Sequence, residues 1–332
     1  MSGRLVLHIG TEKTASTHIQ RVLAANRRTL RRAGVHYPYA FREASWGHHN
    51  LTWWVKGRRR RFRKPTPWTL VPPAWTWRQL GRRRGVVVLS SETMCHLRAE
   101  EWRRLLDDTS AVPEIVLFLR RRDDMVPSLW RERTKERPVD DVVSWMADLA
   151  SRRRSPIRYL DLVRMLTELE RDGLVADVRL VSYDRLVQCN DDPAEVLARR
   201  ILGIDATLEA PPGPANPGLD DGVAEVLRRL QVLDAAHRRP LGARRLVGRA
   251  RRRPLAATAD HLVVVGRHTV ELDRRFAAED AELVSEHGHR FLDPVGDDGP
   301  FGRADAPTTV PVHDPGAGQD AVVALYGALR RR

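Results

Sequence analysis

Cysteine is nearly absent from this chain of 332 residues: Cys95 and Cys189 are its only two. That count excludes a disulfide framework and a cysteine metal cluster, and it fits a reducing cytoplasm as the expected compartment. Long hydrophobic runs are missing too. No apolar stretch approaches the roughly 20 residues that span a bilayer, and Leu5–Ile9 is too short for the core of a signal peptide. Acidic residues fall short of basic ones, leaving a formal net charge of +14. Such a field favours anionic ligands and acidic surfaces. No zinc-finger, basic-zipper or RNA-recognition signature accompanies it, so nucleic acid is not an expected partner. The arginine runs at 58–61, 82–84, 120–122, 152–154 and 251–253 are scattered and read mainly as solvated surface. The nucleotide-binding loop with Gly-Lys-Ser/Thr preceded by a glycine is also lacking. Metal-ligand clusters are absent, and no metal is expected.

What is present is a hydrophobic fraction of 42%, enough for a substantial core. Short apolar, β-branched runs at Leu5–Ile9, Val86–Ser90, Ile115–Leu119 and Val178–Ser182 read as parallel strands covered on both faces. Between them, helical spacing marks Thr14–Ala33, Glu100–Asp107, Met125–Lys135, Val139–Ala150 and Leu160–Asp172. Gly34, after Arg31 and Arg32, fits a helix stop. This alternation predicts an α/β fold, a parallel sheet flanked by helices. Residues 1–235 read as the α/β domain and 236–332 as a basic, helical extension with a loose tail. Within the first part, 41–84 is an insertion holding Trp46, Trp53, Trp54, Trp68, Trp75 and Trp77 of the nine tryptophans. Those indoles either fill a local core or form a lid that binds an acceptor. A loop at Ala210–Leu219 precedes a helix expected at Asp220–Ala236. The basic segment Arg238–Pro254 has too few large apolar residues to insert in a membrane, so peripheral surface contact is the most it supports.

Chemistry concentrates at the first strand's end. Gly10-Thr11-Glu12-Lys13-Thr14-Ala15-Ser16-Thr17 links a strand to a helix. A helix start presents unpaired N–H groups and partial positive charge, and so binds anions. Lys13 adds a full charge; Thr14, Ser16 and Thr17 add hydroxyls. Read as residues alone, this is either an anion loop or an ordinary Ser/Thr-rich helix start. A second strand ends in Arg120, with Ser128 eight residues on; taken alone, an arginine run with a serine downstream is common by chance. Between the two, Gly85–Met94 is a strand ending in Ser90-Ser91-Glu92. His8 reads as a satisfied core residue. Asp123 and Asp124 read as helix-start carboxylates.

The G-x-x-K-T-x-S/T-T pattern resembles the 5′-phosphosulfate loop of sulfotransferases that use 3′-phosphoadenosine 5′-phosphosulfate (PAPS). Ala15 and Ser16 depart from that family's usual K-T-G-T-T. Arg120 and Ser128 resemble its 3′-phosphate pair, Gly85–Met94 a strand of its bacterial branch, and Arg179–Leu186 and Asn216–Leu219 later segments. The resemblance covers roughly residues 4–235. It implies a P-loop NTPase-like sulfotransferase fold and transfer of a sulfuryl group from PAPS to a hydroxyl or amine. It further implies donor binding by Gly10, Lys13, Thr14, Ala15, Ser16, Thr17, Arg120 and Ser128, with Lys13 catalytic. For the general base, Glu92 stands first and His49, beside His48, second. The acceptor is expected to be a small molecule or glycan: a carbohydrate, a phenolic metabolite or a lipid. Two alternatives from other classes are a P-loop nucleotide kinase-like enzyme and a non-catalytic nucleotide-binding relative.

Overall fold

The computed structural model describes residues 3–43, 46–57, 73–107, 109–136, 139–140, 142–152, 157–212, 224, 228, 231, 266–296 and 299–302. Several expectations lie wholly or largely outside these residues. They are the arginine runs at 58–61, 153–154 and 251–253, Trp68, the segment Asn216–Leu219, the helix expected at Asp220–Ala236, the basic stretch Arg238–Pro254 and most of the tail beyond Asp293.

The chain divides into two compact units. The first comprises Met1–Arg121, Arg158–Ala215 and Ala278–Arg303. Its described strands are β1 (Arg4–Gly10), β2 (Val35–His36), β3 (Val86–Ser90), β4 (Glu114–Leu119) and β5 (Asp177–Ser182). They form one parallel five-stranded sheet in the order β2-β3-β1-β4-β5. The α/β expectation of a parallel sheet flanked by helices holds. β1 and β4 are buried along almost their whole length, as strands covered on both faces must be.

The first unit's helices are α1 (Ser16–Ala25), α2 (Arg27–Arg32), α3 (His49–Val55), α4 (Pro73–Gly81), α5 (Ala99–Asp107), α8 (Tyr159–Arg171), α9 (Tyr183–Gln188) and α10 (Pro193–Val196). On one sheet face, Val6, Val88, Val116 and Phe118 pack with Ile19, Val22 and Leu23 of α1 and with Leu197 and Ile201 just past α10. The single helix expected over Thr14–Ala33 is two, broken at Asn26. That side chain donates to the Val22 and Glu209 carbonyls and accepts from the Glu209 amide, at 2.8–2.9 Å. Gly34, at φ 79°, stops α2 as expected.

The second unit, Arg122–Ile157 with Asn216–Ala277 and Ala304–Arg332, is described mainly through α6 (Arg122–Glu136) and α7 (Val142–Ser151). Within it, buried Arg122 donates to the Ile157 carbonyl at 2.7 Å and lies over the Phe276 ring. Trp130 Nε1 donates to the Asp140 carbonyl at 3.0 Å. The tryptophans of the insertion divide between roles: Trp77 is buried and donates to the Leu105 carbonyl, whereas Trp46 and Trp75 are exposed.

Candidate functional site

Strand order fixes where a ligand belongs. The connection after β1 runs toward β3 and β2, and the chain after β4 continues toward β5 on the other side. The carboxyl ends of β1 and β4 therefore flank a point of divergence, where open α/β sheets bind ligands. The segments leaving these two strands are the Thr11–Ala15 loop and Arg120.

The loop is anchored at its start: Thr11 donates through both its amide and its hydroxyl to the Phe118 carbonyl, at 3.0 and 3.1 Å. Lys13 (φ 66°) and Ala15 (φ 58°, ψ 19°) then adopt left-handed backbone on either side of Thr14. Each such non-glycine residue is strained by about 1–2 kcal/mol. Two of them in one five-residue turn make a tight reversal, a backbone form of the kind that can gather successive N–H groups into an anion-binding concavity. Thr14 Oγ1 closes the turn on the Thr11 carbonyl at 2.7 Å. Gly10 is required beneath it, since a Cβ there would stand 2.3 Å from Ser16 Oγ and 2.7 Å from Thr14 Oγ1. The helix begins at Ser16, not at Thr14, because Ala15 is its left-handed cap and offers no capping side chain. The first intrahelical bond runs from Ile19 N to the Ala15 carbonyl, so the preceding amides face the loop.

Arg120 reaches this turn directly: its Nη1 donates to the Lys13 carbonyl at 3.0 Å. Its own carbonyl accepts from Tyr159 Oη at 2.6 Å, and its guanidinium lies 5.2 Å from the Tyr183 ring centroid. Ser128 belongs to the second unit, in the second turn of α6 rather than at a helix start. The helix has already begun at Arg122, with Asp123 and Asp124 in its first turn as expected.

Glu92 opens a short 3-10 turn (Glu92–His96) directly after β3. Ser91 N donates to the His8 carbonyl at 3.0 Å, which holds this turn against β1. The Glu92 carboxylate accepts from Ser16 and lies near Lys13, His49 and Glu12. Burial, reinforced by Glu12, raises its pKa above the usual carboxylate range, while His49, Ser16 and Lys13 pull the other way. His49, at the start of α3, is held through Nδ1 by Ser91 Oγ at 2.8 Å. Ser91 continues to Thr93 and Thr52 in a hydroxyl chain, each step 2.8 Å. The loop, Lys13, Arg120, Glu92 and His49 thus share one end of the sheet.

His48 does not share the role of its neighbour. It is fully buried, accepts from Ser90 N at 3.0 Å and bonds the Pro38 carbonyl; burial pushes its pKa down to about 3. His8 was expected to be satisfied, and is so on one side only. Nδ1 bonds Ser90 Oγ at 2.8 Å, whereas Nε2 has no partner among the described residues. Burial holds it neutral as well, at about 3.

Two participants were not legible from the sequence. Gln20 sits one turn along α1 from Ser16, and its Oε1 and His49 Nε2 both crowd Gly47, at 2.7 and 2.5 Å from where a Cβ would lie. Glu12 projects from the loop toward His96, at 3.9 Å. The i, i+4 spacing of Ser16 and Gln20 was the available signal for the first. Of the three loop hydroxyls, Thr14 is turned onto the Thr11 carbonyl and Ser16 onto Glu92, leaving Thr17 half-buried.

Chemically, the arrangement offers a cationic backbone cradle for an anion, with a carboxyl group of raised pKa and an imidazole beside it. Among the described residues, no group of three or more His, Cys, Asp and Glu is placed to hold a metal ion, and no helix is long and apolar enough to cross a membrane. Comparison with protein-family models, with curated proteins and with solved structures found no match.

Proposed function

We propose that the chain is a PAPS-dependent sulfotransferase that passes a sulfuryl group to a hydroxyl or amine of its acceptor. The observation that carries this reading is the strained Gly10–Ser16 turn, braced by Arg120 at the divergence point of the sheet and faced by Glu92. The left-handed Lys13 and Ala15 and the open N-terminus of α1 suit a phosphosulfate group, so the residues fit the donor. PAPS, when bound, supplies an activated sulfur with a phosphate leaving group.

The chain's own work is then electrostatic and positional. Backbone amides of the turn and α1 hold the anion, and Lys13 neutralises charge that develops on the leaving oxygen. Glu92 takes the acceptor proton as the new oxygen–sulfur or nitrogen–sulfur bond forms and the phosphate–sulfur link breaks. His49, tied to Ser91, is oriented near Glu92 and offsets part of its burial. Arg120 braces the turn through the Lys13 carbonyl and supplies charge for a further phosphate.

Calorimetric titration with 3′-phosphoadenosine 5′-phosphate, 5′-AMP and ATP with Mg²⁺ tests the donor. Tight binding of the bisphosphorylated nucleotide, lost in Lys13→Ala, is expected. Equal affinity for 5′-AMP, or preference for ATP with Mg²⁺, would refute the reading. Transfer of labelled sulfate from PAPS should fall by at least about 100-fold in Lys13→Ala, the scale of losing one stabiliser of transition-state charge.

A further inference from the structure

The chain after β2 builds a second charged feature, at the same carboxyl end of the sheet. β2 lies two strands from β1, a separation of about 10 Å. Arg42 is 94% buried by the complement of its 6% exposure, yet it is surrounded by rings instead of acids. Its guanidinium carbon lies 5.7, 5.0 and 5.6 Å from the ring centroids of Tyr37, Tyr39 and Trp46. Its Nε is buried with no hydrogen-bond partner among the described residues. Arg27 approaches the same cluster, 3.4 Å from the Tyr39 centroid, with its Nε on the Tyr37 carbonyl at 2.7 Å.

Two guanidiniums thus share one aromatic cluster, and no ion pair of either with a carboxylate is found among the described residues. Ring faces attract a cation but do not replace the hydration of a buried charge. Each guanidinium also disfavours the other's charge. Among the described residues, the cluster therefore lacks an anion. Beside it, Trp46 is 44% exposed and offers an indole surface. The cluster is also fastened to the candidate site. Tyr37 Oη donates to the Trp46 carbonyl at 2.9 Å, and Tyr37 packs edge-on against His48, which bonds β3 at Ser90.

We infer that the Arg42 cluster is an acceptor subsite for a sugar chain bearing carboxylate or sulfate groups. The anion meets Arg42 and Arg27, and a pyranose face stacks on Trp46. Stacking of sugar faces on indole with a guanidinium for the acid group is the chemistry these residues supply. A neutral sugar or a simple phenol would leave the buried charge unanswered. The assignment of the sugar as acceptor rests on the sulfotransferase reading, because only that reading gives its hydroxyls a reaction partner.

The test is calorimetry on the full chain with three tetrasaccharides: hyaluronan (carboxylate only), chondroitin 4-sulfate (carboxylate and sulfate) and N-acetylchitotetraose (neutral). At least tenfold tighter binding of an anionic chain than of the neutral one is expected, and the first two separate carboxylate from sulfate recognition. Arg42→Gln should abolish that preference. Trp46→Ala, at a side chain that is 44% exposed, should weaken binding about tenfold even where Arg42→Gln perturbs folding. Both variants should keep the wild-type affinity for 3′-phosphoadenosine 5′-phosphate. Equal affinity for neutral and anionic chains, no binding of any, or tighter Arg42-dependent binding of 4-nitrophenol would overturn the inference. Loss of nucleotide binding with sugar binding intact would instead overturn the donor reading and leave the subsite standing.

Discussion

Replacing Ala15 by glycine should stabilise this protein, against the usual direction of such a change. Ala15 holds φ 58° and ψ 19°, the left-handed region. There a Cβ crowds the following carbonyl oxygen, at roughly 1–2 kcal/mol for a non-glycine residue. Glycine removes that strain but makes the unfolded chain more flexible, which costs about 0.4–1 kcal/mol. The strain term is the larger, so Ala15→Gly should gain about 0.5–1 kcal/mol. The control is Ala24→Gly, the same chemical change inside the right-handed helix α1, which should lose about 1 kcal/mol. Urea unfolding of the two variants and the wild type, followed by circular dichroism, reads both signs, and the gap of roughly 1.5–2 kcal/mol between them exceeds the scatter of such fits. Nucleotide affinity gives a second readout. The turn's conformation is one glycine adopts readily, so Ala15→Gly should bind 3′-phosphoadenosine 5′-phosphate at least as tightly as wild type. A loss of stability equal to that of Ala24→Gly would show that Ala15 is unstrained, and the anion cradle would then lose its basis.

The opposite change at the other end of the turn should do harm. Gly10→Ala puts a methyl 2.3 Å from Ser16 Oγ, so the Ser16 and Thr14 hydroxyls must retreat by about 1 Å; donor affinity measured by calorimetry should fall about 100-fold, with about 1–3 kcal/mol lost in urea unfolding. Unchanged affinity would mean that the turn does not touch the ligand. Glu92 must be ionised to accept a proton, and its pKa is raised by burial and by Glu12. The acidic limb of kcat/KM against pH should therefore have its midpoint above the ordinary 4.5. Glu12→Gln removes one of the raising charges and should move that limb to lower pH; a limb that stays in place would exclude Glu92 as its origin. Gly47→Ala should drive His49 and Gln20 apart and lower kcat more than it lowers stability, read by pairing turnover with thermal melts.

The elements read well from the sequence where one physical signal dominated. Four strands are largely apolar runs because most of their residues are buried, with Arg179 of β5 as a half-exposed interruption, and all four lie within a residue of their expected bounds. β2 escaped notice because it is only Val35–His36, too short for any pattern. The break at Asn26 was hidden for another reason: a partner of its side chain, Glu209, is 183 residues away. The start of α1 was misplaced by two residues because only backbone geometry reveals that Ala15 is left-handed. At the site, Lys13, Arg120 and Glu92 were legible because each follows a strand, and strand ends of a parallel sheet converge on one edge. His49 was legible only as one of two adjacent histidines. Both are buried, and their separation into one near Glu92 and one held by the Ser90 backbone depends on contacts with Ser90 and Ser91, some 42 residues on.

Those two serines show how the site is built into the sheet. Ser90 uses three of its groups in three directions: its hydroxyl meets His8 of β1, its amide donates to His48 Nδ1, and its carbonyl accepts from His48 N at 2.7 Å. Ser91 then takes the His8 carbonyl through its amide and His49 through its hydroxyl. A Ser-Ser pair at the end of β3 thereby ties the central strand to the segment 37–49, which carries both the aromatic cluster and His49. The imidazoles in the buried part of this network are neutral, because burial holds His8 and His48 near 3. They can therefore accept and donate hydrogen bonds in the core without placing two more positive charges under an anion site. Lys13 and Arg120, both only half-buried, carry the positive charge next to the turn itself. Ser90 Oγ meets both His8 and Tyr37, whereas the Ser90 backbone holds His48, so Ser90→Ala removes the two side-chain links and keeps the backbone ones. It should leave His48 in place while freeing the His8 ring and loosening Tyr37, read as altered His8 and Tyr37 ring signals with unchanged His48 signals by nuclear magnetic resonance.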